Sequence, residues 1–230
     1  MQIARKLADL HSEYKVYTRT QLTTSSNNII CSLSSSFPYL YNFYQNYIEV
    51  FSNEVENRIK DDKRVRSTDL PFIGEDVVST GEAKFFFVFE GSLSDKNKLS
   101  ITALAHLWLT EESEIISSFS ERWWKKHLYN NVHKHLDIKS EIATQSYVFD
   151  ARRTPSNDQD LIYREIEMLK PKLVVCIGTT ARETVGMRYI KQDAKFHYVR
   201  FPKYIPEGQK EKICKSYKEL REILDNVNSD

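Results

Sequence analysis

The chain has 230 residues, and its 33 Lys and Arg residues nearly balance its 32 Asp and Glu residues, giving a formal net charge of +1. This balance excludes a global basic field, so any nucleic-acid site must be a local basic patch. Hydrophobic residues make up 40% of the chain and aromatic residues 12%, which is typical of a globular protein and excludes a disordered or fibrous one. We therefore expect one sizeable core.

The cysteine content and the lack of long apolar runs indicate the cellular compartment of the protein. The three cysteines, Cys31, Cys176 and Cys214, are odd in number and widely spaced, which argues against a disulfide framework and against a clustered zinc or iron–sulfur site. The sequence has no signal-peptide pattern and no apolar run of about 18 residues that could span a bilayer. These features predict a cytoplasmic, monomeric protein without a metal, a cofactor or a membrane partner.

Residues 1–83 are predicted to form an N-terminal arm and a helix that packs on the core. Residues 17–36 are rich in Ser, Thr and Asn, which favour turns, so they are predicted to form a loop or arm. After Pro38, apolar residues recur every three or four positions as far as Ile59, which is typical of an amphipathic helix. The charged stretch 61–83 is predicted to be an irregular connection.

Strand and helix patterns alternate over residues 84–230, which are predicted to form an α/β domain in one compact unit with the N-terminal region. Apolar runs predict strands near residues 85–89, 146–150, 172–177 and 195–201. Helical patterns lie between these strands and after the last one, and they include Phe119 to Leu136, Leu161 to Leu169, a short helix after Gly178, and Ile213 to Leu224. The alternation predicts a three-layer α/β/α fold with a central four-stranded parallel sheet and an N-terminal helical extension.

Candidate functional residues follow directly after the predicted strands. In parallel α/β sheets, ligands bind outside the carboxyl ends of the strands. Glu90 and Asp150 end two of the strands, although a single acid in such a position is also a common turn former or helix cap. The basic residues in the same segments are Arg152, Arg153, Arg182, Arg200 and Lys203. Carboxylates within a cationic rim favour a polyanionic ligand whose reacting centre meets a carboxylate.

Motifs of other ligand classes are missing from the sequence. No GxGxxG follows a strand and no GxxxxGK[ST] is present, so neither a dinucleotide site nor a P-loop is predicted. His133 and His135 are two positions apart on a predicted helix and point to different faces, which argues against a metal site there.

Four segments, in chain order, resemble motifs of the uracil-DNA glycosylase superfamily. The stretch MLKPKLVVCIGTTA (168–181) looks like that family's lkPkvivalGktA strand and is the most specific match. The stretch SYVFDARRTPSNDQD (146–160) resembles a second motif, and FFFVFEGSLSD (85–95) and HYVRFPKY (197–204) occupy the places of the first and last motifs. The resemblance covers residues 84–204.

The resemblance implies a DNA glycosylase that hydrolyses the N-glycosidic bond of a flipped, damaged or modified base in single- or double-stranded DNA. Flipping costs a few kcal/mol, and a carboxylate then stabilises positive charge on the sugar and orients water. Glu90 is expected to carry the chemistry, with Asp150 assisting it or reading the base. The expected base-pocket residues are Gly91, Ser92, His197 and Phe201. The expected DNA-binding residues are Arg152, Arg153, Thr179, Thr180, Arg182, Arg200, Lys203 and Tyr204.

Two departures from the family pattern argue against uracil as the substrate. Phe201 stands where the family has a histidine that bonds the uracil carbonyl, and Asp150 stands where an asparagine is expected. One alternative is an antiviral glycosylase that removes a bulky modified base, such as a glucosylated cytosine, from phage DNA. Others are a catalytically inactive DNA-binding module and a nucleoside-processing enzyme with a glutamate nucleophile.

Overall fold

The structure is a computed structural model that describes residues 2–14, 16–18, 37–52, 66–68, 71–89, 140–151, 160–186, 195–200 and 207–230. Within these residues the chain is a mixed α/β protein with one large and one small sheet. Among the helices of these segments, none combines the length and apolar character needed to cross a lipid bilayer.

The large sheet contains all four predicted strands and a fifth that was not predicted. Its strands are β3 (Phe72–Ile73), β4 (Phe85–Phe89), β5 (Ser146–Asp150), β6 (Leu173–Ile177) and β7 (Lys195–Val199). They lie in the order β3-β5-β4-β6-β7. Strands β4 to β7 are parallel to their neighbours, whereas β3 is antiparallel to β5. The parallel α/β sheet is therefore confirmed, but the sheet has five strands instead of four.

The predicted arm and connection contain more regular structure than expected. Strands β1 (Val16–Thr18) and β2 (Arg66–Thr68) pair in parallel to form the small sheet. Helix α3 (Glu75–Thr80) lies next to β3 in the stretch predicted to be irregular. Strands of two or three residues are too short to show an alternating pattern, so their pairing partners decide whether they form.

Seven helices lie in the described residues. Besides α3, they are α1 (Gln2–Glu13), α2 (Pro38–Ser52), α4 (Ser140–Thr144), α5 (Asp160–Leu169), α6 (Thr179–Val185) and α7 (Lys210–Ser229), which follows a 3-10 turn at Glu207–Gln209. Four of the seven were predicted. The helices at 161–169, after Gly178 and at 213–224 are confirmed. The helix after Pro38 is confirmed over Pro38–Ser52, and its predicted continuation to Ile59 lies outside the described residues. The helix predicted between Phe119 and Leu136 lies outside the described residues.

One hydrophobic core joins the N-terminal helices to the large sheet. Every residue of β4 and β6 is buried, as expected for central strands covered on both faces. Buried residues of α1 and α2, among them Leu7, Phe43 and Tyr44, belong to the same core cluster. Helices α1 and α2 thus share one core with the large sheet.

A buried polar cluster fixes α1 to this core. His11 Nε2 lies 2.6 Å from Glu165 Oε1, and both side chains are fully buried. His11 Nδ1 lies 2.5 Å from the Tyr47 hydroxyl oxygen, and the Tyr147 hydroxyl donates to Glu165 Oε1 at 2.8 Å. Burying ionisable groups is costly unless they are paired and hydrogen-bonded, and these contacts supply that pairing. They connect α1, α2, α5 and β5.

Candidate functional site at the carboxyl edge of the sheet

The four parallel strands end level with one another. Asp150, the last residue of β5, pairs with Phe89, the last residue of β4. Phe89 pairs in turn with Ile177 of β6, and Ile177 pairs with Val199 of β7. Because the strands are parallel, these four residues form one row along the carboxyl edge of the sheet, where ligands of such folds bind.

One of the two candidate carboxylates, Asp150, ends a strand of this row, and the other, Glu90, follows the neighbouring strand in the sequence. The backbone of Asp150 lies at the carboxyl edge, as predicted. Glu90 lies outside the described residues, as do Gly91 and Ser92, but Glu90 directly follows Phe89 in the sequence. Since neighbouring strands are about 4.8 Å apart, the residue that precedes Glu90 lies at that distance from Asp150.

Gly178 makes the turn from β6 into α6. Its backbone angles, φ 106° and ψ 158°, lie in a region that is essentially restricted to glycine. Its N–H donates to the Val199 carbonyl at 2.9 Å, which ties the turn to the end of β7. A glycine is needed here because the chain must reverse at the sheet edge and start a helix within one residue.

Three side chains meet beside this turn. The guanidinium carbon of Arg182 lies 4.8 Å from the centroid of the Tyr198 ring, a cation–π distance. The Thr179 hydroxyl lies 3.5 Å from the Tyr198 hydroxyl. Thr179 and Arg182 are one turn apart on α6 and therefore share a face. Both are exposed, whereas Tyr198 is half-buried. We call Thr179, Arg182, Tyr198 and the neighbouring Arg200 the edge cluster.

Arg200 is held in place at both its backbone and its side chain. Its guanidinium Nη1 donates to Gln209 Oε1 at 2.8 Å, and its carbonyl accepts a hydrogen bond from the Tyr217 hydroxyl at 2.9 Å. Tyr217 is fully buried, and burial raises its pKa well above the ordinary value of 10. The hydroxyl therefore keeps its proton and remains a donor to the Arg200 carbonyl.

His197 does not join the edge cluster. It pairs with Val175 in the middle of β7, two residues before the strand ends. Adjacent side chains of a strand point to opposite faces, so His197 and Tyr198 lie on different faces of the sheet. Burial lowers the pKa of His197, and Glu219 of α7 opposes this shift. A role of His197 in base recognition stays a prediction.

The remaining predicted residues are spread over described and undescribed segments. Thr180 is half-buried in the first turn of α6, and its carbonyl accepts a hydrogen bond from the Thr184 hydroxyl at 2.7 Å. The predicted residues outside the described segments are Arg152, Arg153, Phe201, Lys203 and Tyr204. Sequence reasoning missed Tyr198, because its contact with Arg182 depends on the pairing of β6 with β7. The arrangement Arg182, Tyr198, Arg200 suits an anionic or aromatic ligand.

The described residues contain no group of three or more His, Cys, Asp or Glu side chains that could hold a metal ion. Cys176 is buried and Cys214 is half-buried.

No protein-family model matches the chain, and no curated protein matches it at a significant level. The resemblance to the uracil-DNA glycosylase superfamily therefore stays a prediction.

Proposed function

We propose that the protein is a DNA glycosylase that hydrolyses the N-glycosidic bond of a flipped, damaged or modified base. The observation that carries this proposal is the level row of strand ends. It sets Asp150 in register with Phe89, the residue before Glu90, and the same edge carries the edge cluster. Two carboxylates at the same edge of the sheet as exposed arginines would suit a substrate that is a polyanion and develops positive charge as it reacts.

In this mechanism the glycosidic bond breaks after the base has left the stack. The sugar becomes positively charged, and the carboxylate of Glu90 stabilises that charge and orients the attacking water. Asp150 assists Glu90 or reads the flipped base. Fixed negative charge acts most strongly where water is excluded, so the chemistry belongs between the strand ends and the bound base.

Basic groups of the edge would hold the DNA backbone. Arg182 and Arg200 are exposed and contact phosphates, together with Arg152, Arg153 and Lys203. Such contacts set the position of the DNA without reading its sequence. The hydroxyls of Thr179 and Thr180 add donors for a phosphate or a polar base edge.

We further propose that helices cover both faces of the sheet in a three-layer α/β/α arrangement. Two interactions support this. Tyr147 donates a hydrogen bond to Glu165 of α5, and Glu219 of α7 acts electrostatically on His197. In the strand register Tyr147 is level with Phe196, the neighbour of His197, so Tyr147 and His197 belong to opposite faces.

The test is incubation of the protein with oligonucleotides that carry natural and modified bases, followed by alkaline cleavage at abasic sites. Strand breaks at one kind of base, absent with Glu90→Gln, would support the proposal. Release of base from free nucleosides but not from DNA would indicate a nucleoside-processing enzyme instead. A protein that neither binds DNA nor releases a base would refute the proposal.

A catalytically inactive DNA-binding module is the second candidate. The contacts between Arg182, Tyr198 and Thr179 and those of Arg200 involve groups that bind rather than groups that react. In that case the protein would bind DNA but leave no abasic site with any base.

A further inference from the structure

We propose that Tyr198 is a positioning residue that orients the guanidinium of Arg182 for contact with a DNA phosphate. This inference rests on the proposed function for the identity of its ligand. It assigns the role of positioning Arg182 to Tyr198, a residue that contacts no reacting atom.

The geometry supplies the first reason. Tyr198 belongs to β7, where it pairs with Cys176 of the buried strand β6, so its backbone is fixed to the sheet. Arg182 is exposed on α6, and its guanidinium carbon lies 4.8 Å from the Tyr198 ring centroid. A half-buried aromatic ring on a rigid strand thus supports a charged group that would otherwise sample many rotamers in water.

The contact with the ring also leaves the N–H donors of Arg182 available to a phosphate. A guanidinium that lies over an aromatic ring can contact it with its flat face, and its N–H donors then point outward in the guanidinium plane. A phosphate binds to that edge through two parallel hydrogen bonds. Tyr198 therefore restricts Arg182 before binding without competing for the donors that a phosphate needs.

Arg182 differs from Arg164, another arginine that lies over a tyrosine ring, in its acidic partners. Arg164 lies over the Tyr14 ring at 5.9 Å, but its Nη1 is also 2.6 Å from Glu13 Oε2. Its charge is already neutralised within the protein. Arg182, by contrast, forms no ion pair with an acidic side chain of the described residues. The adjacent Glu183 does not face it, because consecutive helix residues point in different directions.

The experiment measures binding of a fluorescently labelled, unmodified DNA duplex by anisotropy over a series of salt concentrations. The variants are Tyr198→Leu, Tyr198→Phe, Arg182→Ala and the double variant Tyr198→Leu/Arg182→Ala. Tyr14→Leu is the matched control, because it removes the ring beneath the neutralised Arg164. Tyr198→Val, whose β-branched side chain suits a strand, replaces Tyr198→Leu if the latter melts early.

We expect Tyr198→Leu to weaken binding by about two- to fivefold, the range of an exposed cation–π contact. Tyr198→Phe keeps the ring and should bind like the wild type, and the double variant should bind no more weakly than Arg182→Ala. Tyr14→Leu should have no effect.

Three results would overturn the inference while the wild type still binds DNA. Tyr198→Leu could bind like the wild type, its effect could persist unchanged without Arg182, or Tyr198→Phe could lose as much as Tyr198→Leu. Failure of the wild type to bind DNA would refute the proposed function itself, and the inference with it.

Discussion

Basic side chains at the amino ends of the parallel strands, here called the amino edge, have different partners from those at the carboxyl edge. At the amino edge, Lys84 Nζ donates to the Asn228 carbonyl in the last turn of α7 at 2.9 Å, and Lys170 Nζ lies 2.9 Å from Glu82 Oε1. At the carboxyl edge, Arg182 stacks on Tyr198 and Arg200 bonds the amide of Gln209. Neither arginine pairs with a carboxylate in the part of the chain that the structure describes.

The direction of the helices explains this difference. α7 ends next to Lys84 at the amino edge, and α6 begins directly after β6 at the carboxyl edge. Helix carboxyl ends carry partial negative charge and helix amino ends carry partial positive charge. Lys84 and Lys170 at the amino edge therefore bond groups of the fold itself, whereas Arg182 at the carboxyl edge lies near the amino end of α6 and has no acidic partner among the described residues.

A cavity at the amino edge is lined by the same lysines. It has a volume of about 430 Å³, and Lys84, Lys170, Glu82 and Asp76 are among its lining residues. Its size would admit a small ligand, but Lys84 and Lys170 already bond Asn228 and Glu82. This supports the proposal that an anion binds at the opposite edge, where Arg182 and Arg200 have no acidic partner among the described residues.

Removal of one acid from each edge should have the largest and most unequal effects. Glu90→Gln should lower base release by about 10²- to 10³-fold, because a neutral amide cannot stabilise charge on the sugar. DNA binding should be unchanged. Glu82→Gln at the amino edge should leave both unchanged. Alkaline cleavage of the substrate oligonucleotide measures the rates.

Asp150→Asn identifies the roles of the two carboxylates. If this change abolishes base release while Glu90→Gln leaves it intact, Asp150 carries the chemistry and the assignment must be reversed.

Glycines at the two edges should respond differently to substitution. Gly178→Ala should destabilise the protein by about 1–3 kcal/mol, since its φ of 106° and ψ of 158° suit essentially only glycine. Gly81 has φ 80° and ψ 5°, the left-handed region that asparagine tolerates. Gly81→Asn should thus be milder than Gly81→Ala, whereas Gly178→Asn should bring no relief. Urea unfolding measures these differences, and equal rescue at both glycines would contradict the assigned geometry.

Removal of one positive charge from each edge should also have unequal effects on DNA binding. Arg200→Ala should weaken DNA binding several-fold and reduce the slope of log K against log salt by about 0.7–0.9, the value for one phosphate contact. Lys172→Ala, an exposed lysine at the amino edge, should change neither quantity. Equal losses from the two variants would mean that DNA binding is not confined to the carboxyl edge.

The smallest expected effect concerns His197, which lies between the two edges. Burial lowers its pKa below the ordinary value of 6.5, so the unfolded chain binds more protons than the folded one just below that pH. Stability should rise with pH through this window and then level off. His197→Gln should remove this part of the pH dependence of the unfolding free energy. Unfolding curves in urea between about pH 5 and pH 8 test this, and an unchanged slope would contradict it.

The sequence was most informative where a segment's structure depends on its own residues. The runs Phe85–Phe89 and Leu173–Ile177 predicted strands because all their residues are apolar, and both are central strands. Phe72–Ile73 could not be predicted, because a two-residue strand is specified by its pairing with β5. The position of Asp150 at the carboxyl edge followed from strand order, whereas the stacking of Arg182 on Tyr198 followed only from the register of β6 and β7.

The contact between His11 and Glu165 also has a consequence for synthesis of the chain. The two residues are 154 positions apart. At translation rates of about 5–20 residues per second, Glu165 is made roughly eight to thirty seconds after His11. During that interval Leu10 of α1 lacks its partner Leu161 in α5. A nascent chain stalled before residue 165 should therefore be prone to aggregate or to bind chaperones.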